Sequence, residues 1–176
     1  LFKEAKGELK GLIVDLRSNP GGLLDQAVEV ADVFLDEGEI VSTVGLNNKT
    51  LEIQEASINQ SYTTIPLAML VNEGSASASE IVAGAIKVNK RGVIIGLPTF
   101  GKGTVQSLYN LDDDKALKLT IAQFLAGGKA VIQSYGITPD VQLTPALVSE
   151  KNLSLFRESF MIHEDDLDNH IKPQER

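Results

Sequence analysis

The sequence predicts a mixed α/β domain built round one core. Three observations predict it. Two short apolar runs each lead, through a glycine-containing turn, into a segment whose apolar residues recur at three- and four-residue spacing. A third apolar run follows, and the second half of the chain is a succession of strand-like runs separated by turn residues. The size supports one core: 176 residues, 43% hydrophobic and 23% charged, bury roughly two-thirds of the surface the unfolded chain would expose. Mean hydropathy is near zero, and disorder, collagen and solenoids are excluded.

Leu12 to Leu16, partly β-branched and bounded by Gly11 and Arg17-Ser-Asn-Pro-Gly-Gly22, suits a buried strand. A helix should follow, because Leu23, Leu24, Ala27, Val28, Ala31, Phe34 and Leu35 share one face and Asp25, Glu29, Asp32 and Asp36 the other, with Gly38 as its stop. Ile40 to Val44 and Leu51 to Ile53 flank a hairpin loop, and the polar stretch to Thr64 reads as exposed. Leu67 to Val71 is a second buried strand. It runs through Gly74-Ser-Ala-Ser-Ala-Ser-Glu80 into a helix of about three turns marked by Ile81, Val82, Ala85, Ile86 and Val88. Gly92 to Gly96 is a third core strand. Thr104 to Tyr109, Ala116 to Phe124, Ala130 to Gln133 and Val141 to Leu143 read as further strands. From Pro145 the chain reads as an acidic tail with helical patches, giving a division at 1–144 and 145–176.

Composition narrows the chemistry. With no cysteine there is no thiol nucleophile and no zinc-cysteine site. A net charge of -8 without a basic cluster leaves phosphate-backbone binding little to work with, so nucleic acid is not an expected partner. No apolar run approaches the roughly 20 residues that span a bilayer. The start at Leu1 followed by alternating Glu and Lys reads as a piece of a longer protein.

Two strand-to-helix junctions place small side chains and backbone N–H groups where a substrate can approach. Asn19-Pro20-Gly21-Gly22 reads either as a tight turn or as a set of donors able to hold an oxyanion. At the second junction Ser77 reads either as a nucleophile or as a helix cap, since Ser77-x-x-Glu80 is the capping-box pattern. A nucleophilic hydroxyl needs a base. His163 and His170 sit among Glu164, Asp165, Asp166 and Asp168 and read as part of a solvated charged face. Lys102, between Gly101 and Gly103 after an apolar run, reads either as an exposed loop lysine or as a base in dry surroundings. To accept a proton near neutral pH a lysine must be held well below its ordinary value of about 10.4, which burial achieves at a cost of roughly 4 to 5 kcal/mol. Gly96 to Lys102 also matches most of a phosphate-binding loop, but Gly103 stands where the hydroxyl belongs and strand character follows instead of a helix.

Asp15-Leu-Arg-Ser-Asn-Pro-Gly-Gly22, Gly74-Ser-Ala-Ser-Ala-Ser-Glu80, Thr99-Phe-Gly-Lys-Gly-Thr-Val-Gln106 and Gly136-Ile-Thr-Pro-Asp140, in this order, resemble the C-terminal processing peptidases, or tail-specific proteases. The likeness covers essentially the whole chain, and four segments at family spacing outweigh the separate bland readings. The resemblance implies a Ser-Lys serine endopeptidase on a crotonase-like or Clp-protease-like α/β core, here without the family's PDZ domain. It uses no cofactor and no metal. It works in the periplasm or another extracytoplasmic space on proteins with apolar C-termini, and homo-oligomerisation is left open.

The same resemblance makes Ser77 the nucleophile and Lys102 the general base, with Gln106 orienting the lysine. The Ala78 N–H and an N–H of Gly21 or Gly22 would form the oxyanion hole, each such donor contributing roughly 3 to 4 kcal/mol at the transition state. Gln106 needs a curled turn, because four residues span about 13 Å when extended and about 6 Å over one helical turn. Glu80 is read as a capping residue. Leu97-Pro98 and Ala126-Gly-Gly-Lys129 depart from the family pattern without touching the dyad. Two other functions compete: a non-catalytic binding or scaffolding module of the same fold, and a crotonase-type acyl-CoA enzyme.

Overall fold

The computed structural model describes residues 9–58, 62, 64–112, 115–144, 146–148, 153–155 and 162–173. Three apolar runs form the parallel strands β1 (Leu12–Asp15), β4 (Leu67–Val71) and β5 (Val93–Gly96). With β9 (Val141–Gln142) they make a sheet of order β1-β4-β5-β9. Leu12 lies opposite Leu67, and Ala68 opposite Val93. Met69 and Ile94 at its centre are fully buried, whereas Ile13 and Val93 are exposed, so burial alternates along the strands and the sheet is covered on one face instead of buried throughout as the sequence predicts.

A second, antiparallel sheet contains β3 (Thr50–Glu55), β2 (Glu39–Val44), β7 (Lys115–Ala126) and β6 (Thr104–Asp112) in that order, with the short β8 (Ala130–Val131) paired to β7. Helix α2 (Ala78–Val88) packs on α1 (Leu24–Asp32), on β5 and on β2 and β7 of the second sheet. It is buried from Ala78 through Ile86, which its small and apolar composition permits. A Cβ on Gly84 would stand 2.4 Å from the Ala126 Cβ, so glycine here lets α2 lie close against β7.

The strand-helix alternation and the later run of strands are as the sequence predicts, with two differences in where elements end. Helix α1 ends at Asp32, although Phe34 and Leu35 remain buried. The Phe34 carbonyl accepts the Arg91 Nε–H at 2.8 Å, which holds it to the far side of the core instead of in a continuing helix. Strand β8 stops at Val131, because the chain turns there with the Gly136 and Tyr135 N–H groups donating to the Ile132 carbonyl. In the tail the described residues form a two-stranded antiparallel pair, β10 (Ala146–Val148) with β11 (Leu153–Leu155), and a 3-10 turn at Glu164–Asp166, and the remaining positions where helical patches are expected lie outside the described residues. Among the described residues no helix is long and apolar enough to cross a membrane.

Candidate active site

The site forms where the loops after β1 and β4, neighbours in the parallel sheet, lean on each other. The Asn72 side chain accepts the Ser18 N–H at 2.7 Å and the Gly74 N–H at 3.1 Å, and the Ala76 N–H donates to the Asn19 carbonyl at 3.0 Å. Gly21 is the point of closest approach. Its φ is +96°, and a Cβ there would lie 2.6 Å from the Ala76 carbonyl oxygen and 2.8 Å from the Ala78 nitrogen, a position only glycine fills. Asp15 and Arg17 at the mouth of this loop pair with each other, and the Arg17 hydrogen bonds hold the Asp15 carboxyl down at about 2.

The three serines of the second junction are thereby told apart. The Ser75 hydroxyl donates to the Leu16 carbonyl at 2.7 Å and the Ser79 hydroxyl to the Asn19 carbonyl at 3.1 Å, so both are spent on holding the loops together. The Ser77 hydroxyl donates to no described residue. Ser77 itself is half-buried and sits at φ 56°, ψ -116°, on a sharp strand-to-helix elbow at the head of α2. Backbone strain of this kind, at the N-terminus of a buried helix, exposes a nucleophile. The capping box is also present, its firm half being the Ser77 N–H donated to the Glu80 carboxylate at 2.7 Å. Capping therefore coexists with a half-buried hydroxyl that donates to no described residue.

Glu80 goes beyond its expected role as a cap. It is fully buried and accepts four hydrogen bonds: Ser77 N–H at 2.7 Å and Lys102 N–H at 2.9 Å on Oε2, Gly101 N–H at 2.7 Å and the Thr99 hydroxyl at 2.5 Å on Oε1. One carboxylate oxygen thus joins the backbones of Ser77 and Lys102. Burial raises the Glu80 carboxyl above its usual range against the downward pull of these four donors. The Phe100 N–H adds a bond to the Ser75 carbonyl at 3.0 Å. The sequence signal for Glu80, a glutamate three residues after the serine, led to its cap but not to its bonds with the lysine loop, which close only when β5 lies beside β4.

The backbone of Lys102 is therefore brought next to the serine elbow, but its side chain is exposed. The dry surroundings expected for it are not present in this chain. The loop passes directly into β6, which removes the phosphate-binding-loop reading. Gln106, in β6, does not bond Lys102; its amide reaches the Thr120 hydroxyl at 3.5 Å, beside the point where Ile121 is skipped in the pairing with β7. Of the candidate oxyanion donors, the Gly21 N–H is engaged by the Asn19 side chain at 3.0 Å, whereas the Gly22 and Ala78 N–H groups have no acceptor among the described residues. Beside them opens a largely apolar cleft of about 180 Å³, walled by Leu16, Leu23, Ala27, Val30 and Val82, with Asn19, Gln26 and Ser79 as its polar members. His163 and His170 keep to the returning tail, where the His163 N–H bonds Asp166 and the His170 ring approaches the Leu167 carbonyl.

The sequence profile of peptidase family S41 matches residues 1–143. A carboxy-terminal-processing protease of Bartonella bacilliformis is 48% identical over 134 residues, which are 76% of this chain and 31% of that protein. Carboxyl-terminal-processing peptidase 3, chloroplastic, of Arabidopsis thaliana is 43% identical over 80% of this chain and 27% of its own length. The solved structure of a photosystem II D1 C-terminal processing protease superposes with a TM-score of 0.75 at 39% identity, over 80% of this chain and 36% of the other. The chain thus spans about a third or less of the length of these relatives. The S41 match takes in both loops that meet at Gly21 and the whole of the lysine loop, and the chain belongs to peptidase family S41.

Proposed function

We propose that the full-length protein is a serine endopeptidase in which Ser77 attacks the scissile carbonyl and Lys102 takes its proton. The observation that carries this reading is the shared carboxylate oxygen of Glu80, which places the lysine loop against the strained serine. The Ser77 oxygen bonds the carbonyl carbon and the peptide C–N bond breaks. Lysinium passes the proton to the leaving amine, and water then hydrolyses the ester. The developing oxyanion is held by the Ala78 and Gly22 N–H groups, which have no acceptor among the described residues, at the positive end of α2. Gln106 orients the lysine amine once the turn before β6 closes. Substrate covering the elbow sheds water from around Lys102, since a general base must offer a neutral amine and dry surroundings favour it.

The apolar cleft beside Gly22 and Ala78 favours a substrate that offers an apolar side chain there, in keeping with protein tails that end in apolar residues. Relatives named as processing proteases of bacteria and of chloroplasts support work outside the cytoplasm. The division of the chain at 144 and 145 and a homo-oligomeric state belong to the same reading.

The test is cleavage, by the full-length protein, of an unfolded substrate ending in apolar residues. Ser77→Ala and Lys102→Ala are each expected to lower kcat at least a thousandfold, and a serine-directed phosphonate should label the wild type and not Ser77→Ala. Equal cleavage by all three would end the dyad. No labelling and no cleavage by the wild type would favour the scaffolding module, and saturable coenzyme A binding the acyl-CoA enzyme.

A further inference from the structure

Glu80 secures the lysine loop from the side of the serine. The opposite flank is held by a residue that the dyad does not use. Gln133 is fully buried just beyond β8, and its Oε1 accepts the Gly103 N–H at 2.9 Å. Its Nε2 donates to the Ile171 carbonyl at 2.8 Å and lies 3.3 Å from the Glu164 carboxylate. The contact is close: a Cβ on Gly103 would stand 2.6 Å from the Gln133 nitrogen. Neighbouring bonds extend the seam, with the Ser134 N–H on the Gly101 carbonyl at 2.8 Å and the Phe124 N–H on the Gly103 carbonyl at 2.7 Å.

The segment 162–173 completes it. The Glu164 N–H donates to the Phe100 carbonyl at 3.1 Å, and the Gln123 amide donates to the Lys172 carbonyl at 2.9 Å. Every residue from Phe100 to Gly103 is therefore tied either to Glu80, to the Gln133 turn or to this segment, except for the Lys102 side chain. The neutral amide of Gln133 meets both demands at once, an acceptor for the loop and a donor for the segment. A buried leucine would leave the Gly103 N–H and the Ile171 carbonyl unpaired.

We propose that Gln133 is a positioning residue for Lys102, and that docking of residues 162–173 on Gln133 and Phe100 sets the reach of the lysine towards Ser77. The proposal rests on the dyad reading above. It adds that the base is placed by a part of the chain distant in sequence, and that releasing the segment slows the chemical step without weakening substrate binding.

The test uses the full-length protein with Gln133→Leu and, separately, with residues 162–173 replaced by a glycine-serine segment of equal length. Measured are kcat and KM on a quenched peptide ending in apolar residues, the rate of Ser77 labelling by a fluorophosphonate, and Tm. Both variants, folded at the assay temperature, are expected to lose at least fivefold in kcat and in labelling rate with KM within twofold of wild type. A smaller loss in either folded variant, or a change carried by KM, overturns the proposal. If Gln133→Leu does not fold, the segment replacement decides by the same criterion. Ser77→Ala and Lys102→Ala run alongside: if they cleave normally the dyad falls and this proposal with it, whereas if they are dead and both test variants are fast, this proposal falls alone.

Discussion

At Ser77 the backbone holds φ 56° and ψ -116°, a conformation that a residue with a Cβ keeps only when its surroundings enforce it. The enforcing parts are the Glu80 carboxylate on its own N–H and the Asn19 carbonyl on the Ala76 N–H. Ser77→Gly is therefore expected to withstand more urea than Ser77→Ala, by about 1 kcal/mol, although neither cleaves substrate. The reverse holds at Gly21, where Ala would meet the Ala76 carbonyl at 2.6 Å and carry φ +96°. Gly21→Ala is expected to lower stability by about 2 kcal/mol and kcat at least tenfold, read from urea melts and peptide cleavage. The serine, the lysine and the glycine pair were legible in the sequence as residue types at a recognisable spacing. The backbone angle of Ser77 was not, because it is set by contacts with a loop more than fifty residues earlier. Nor was the choice between Gly21 and Gly22, which turns on where the Asn19 side chain points.

Helix α2 shows what one element contributes and what its sequence hides. Its length and buried face follow from the spacing of Ile81, Val82, Ala85 and Ile86, and its cap from Ser77-x-x-Glu80. The second task of Glu80 is invisible there, since its partners Thr99, Gly101 and Lys102 lie beyond the next strand. Gln in place of Glu80 offers one oxygen to four donors and sets an NH2 group against two of them. Glu80→Gln is expected to lose about 2 to 3 kcal/mol in urea melts and at least tenfold in kcat, as the lysine loop comes away from the elbow. The shortened α1 teaches the same lesson from the other side. Its amphipathic pattern continues through Phe34 and Leu35, and both are buried, but a guanidinium from Arg91 takes the carbonyl that a further turn would need. Hydrophobic period reports which face is covered more securely than where hydrogen bonding stops.

Over the whole molecule, the parallel sheet and the central helix are tied together by Asp140. Its carboxylate accepts the Lys87 ammonium from the end of α2 and the Ile94 N–H, at 2.9 Å, from β5. Partial burial raises the Asp140 carboxyl, but the Lys87 hydrogen bond, the Ile94 N–H and the Lys87 charge outweigh it and leave the carboxyl below its ordinary range. The folded chain then binds this proton more weakly than the unfolded one, so the stabilisation is present above about pH 4 and is lost as the pH falls through the lowered value. Asp140→Asn is expected to cost about 1 kcal/mol at neutral pH, with the gap to wild type in urea melts closing below about pH 4. The class of the fold was readable from strand and helix alternation. The placement of β9 was not, because a strand of two residues, Val141–Gln142, carries no period, and neither was the return of the tail, whose charge disguises bonds made by its backbone. That return has a consequence for the order of assembly. A ribosome delivers Phe100 and Gln133 well before residues 164–172, so the carbonyl of Phe100 and the Gln133 amide gain these partners only after the later segment has been made. A nascent chain that already carries Ser77 and Lys102 thus still lacks the backbone bonds that hold the lysine loop on its far flank.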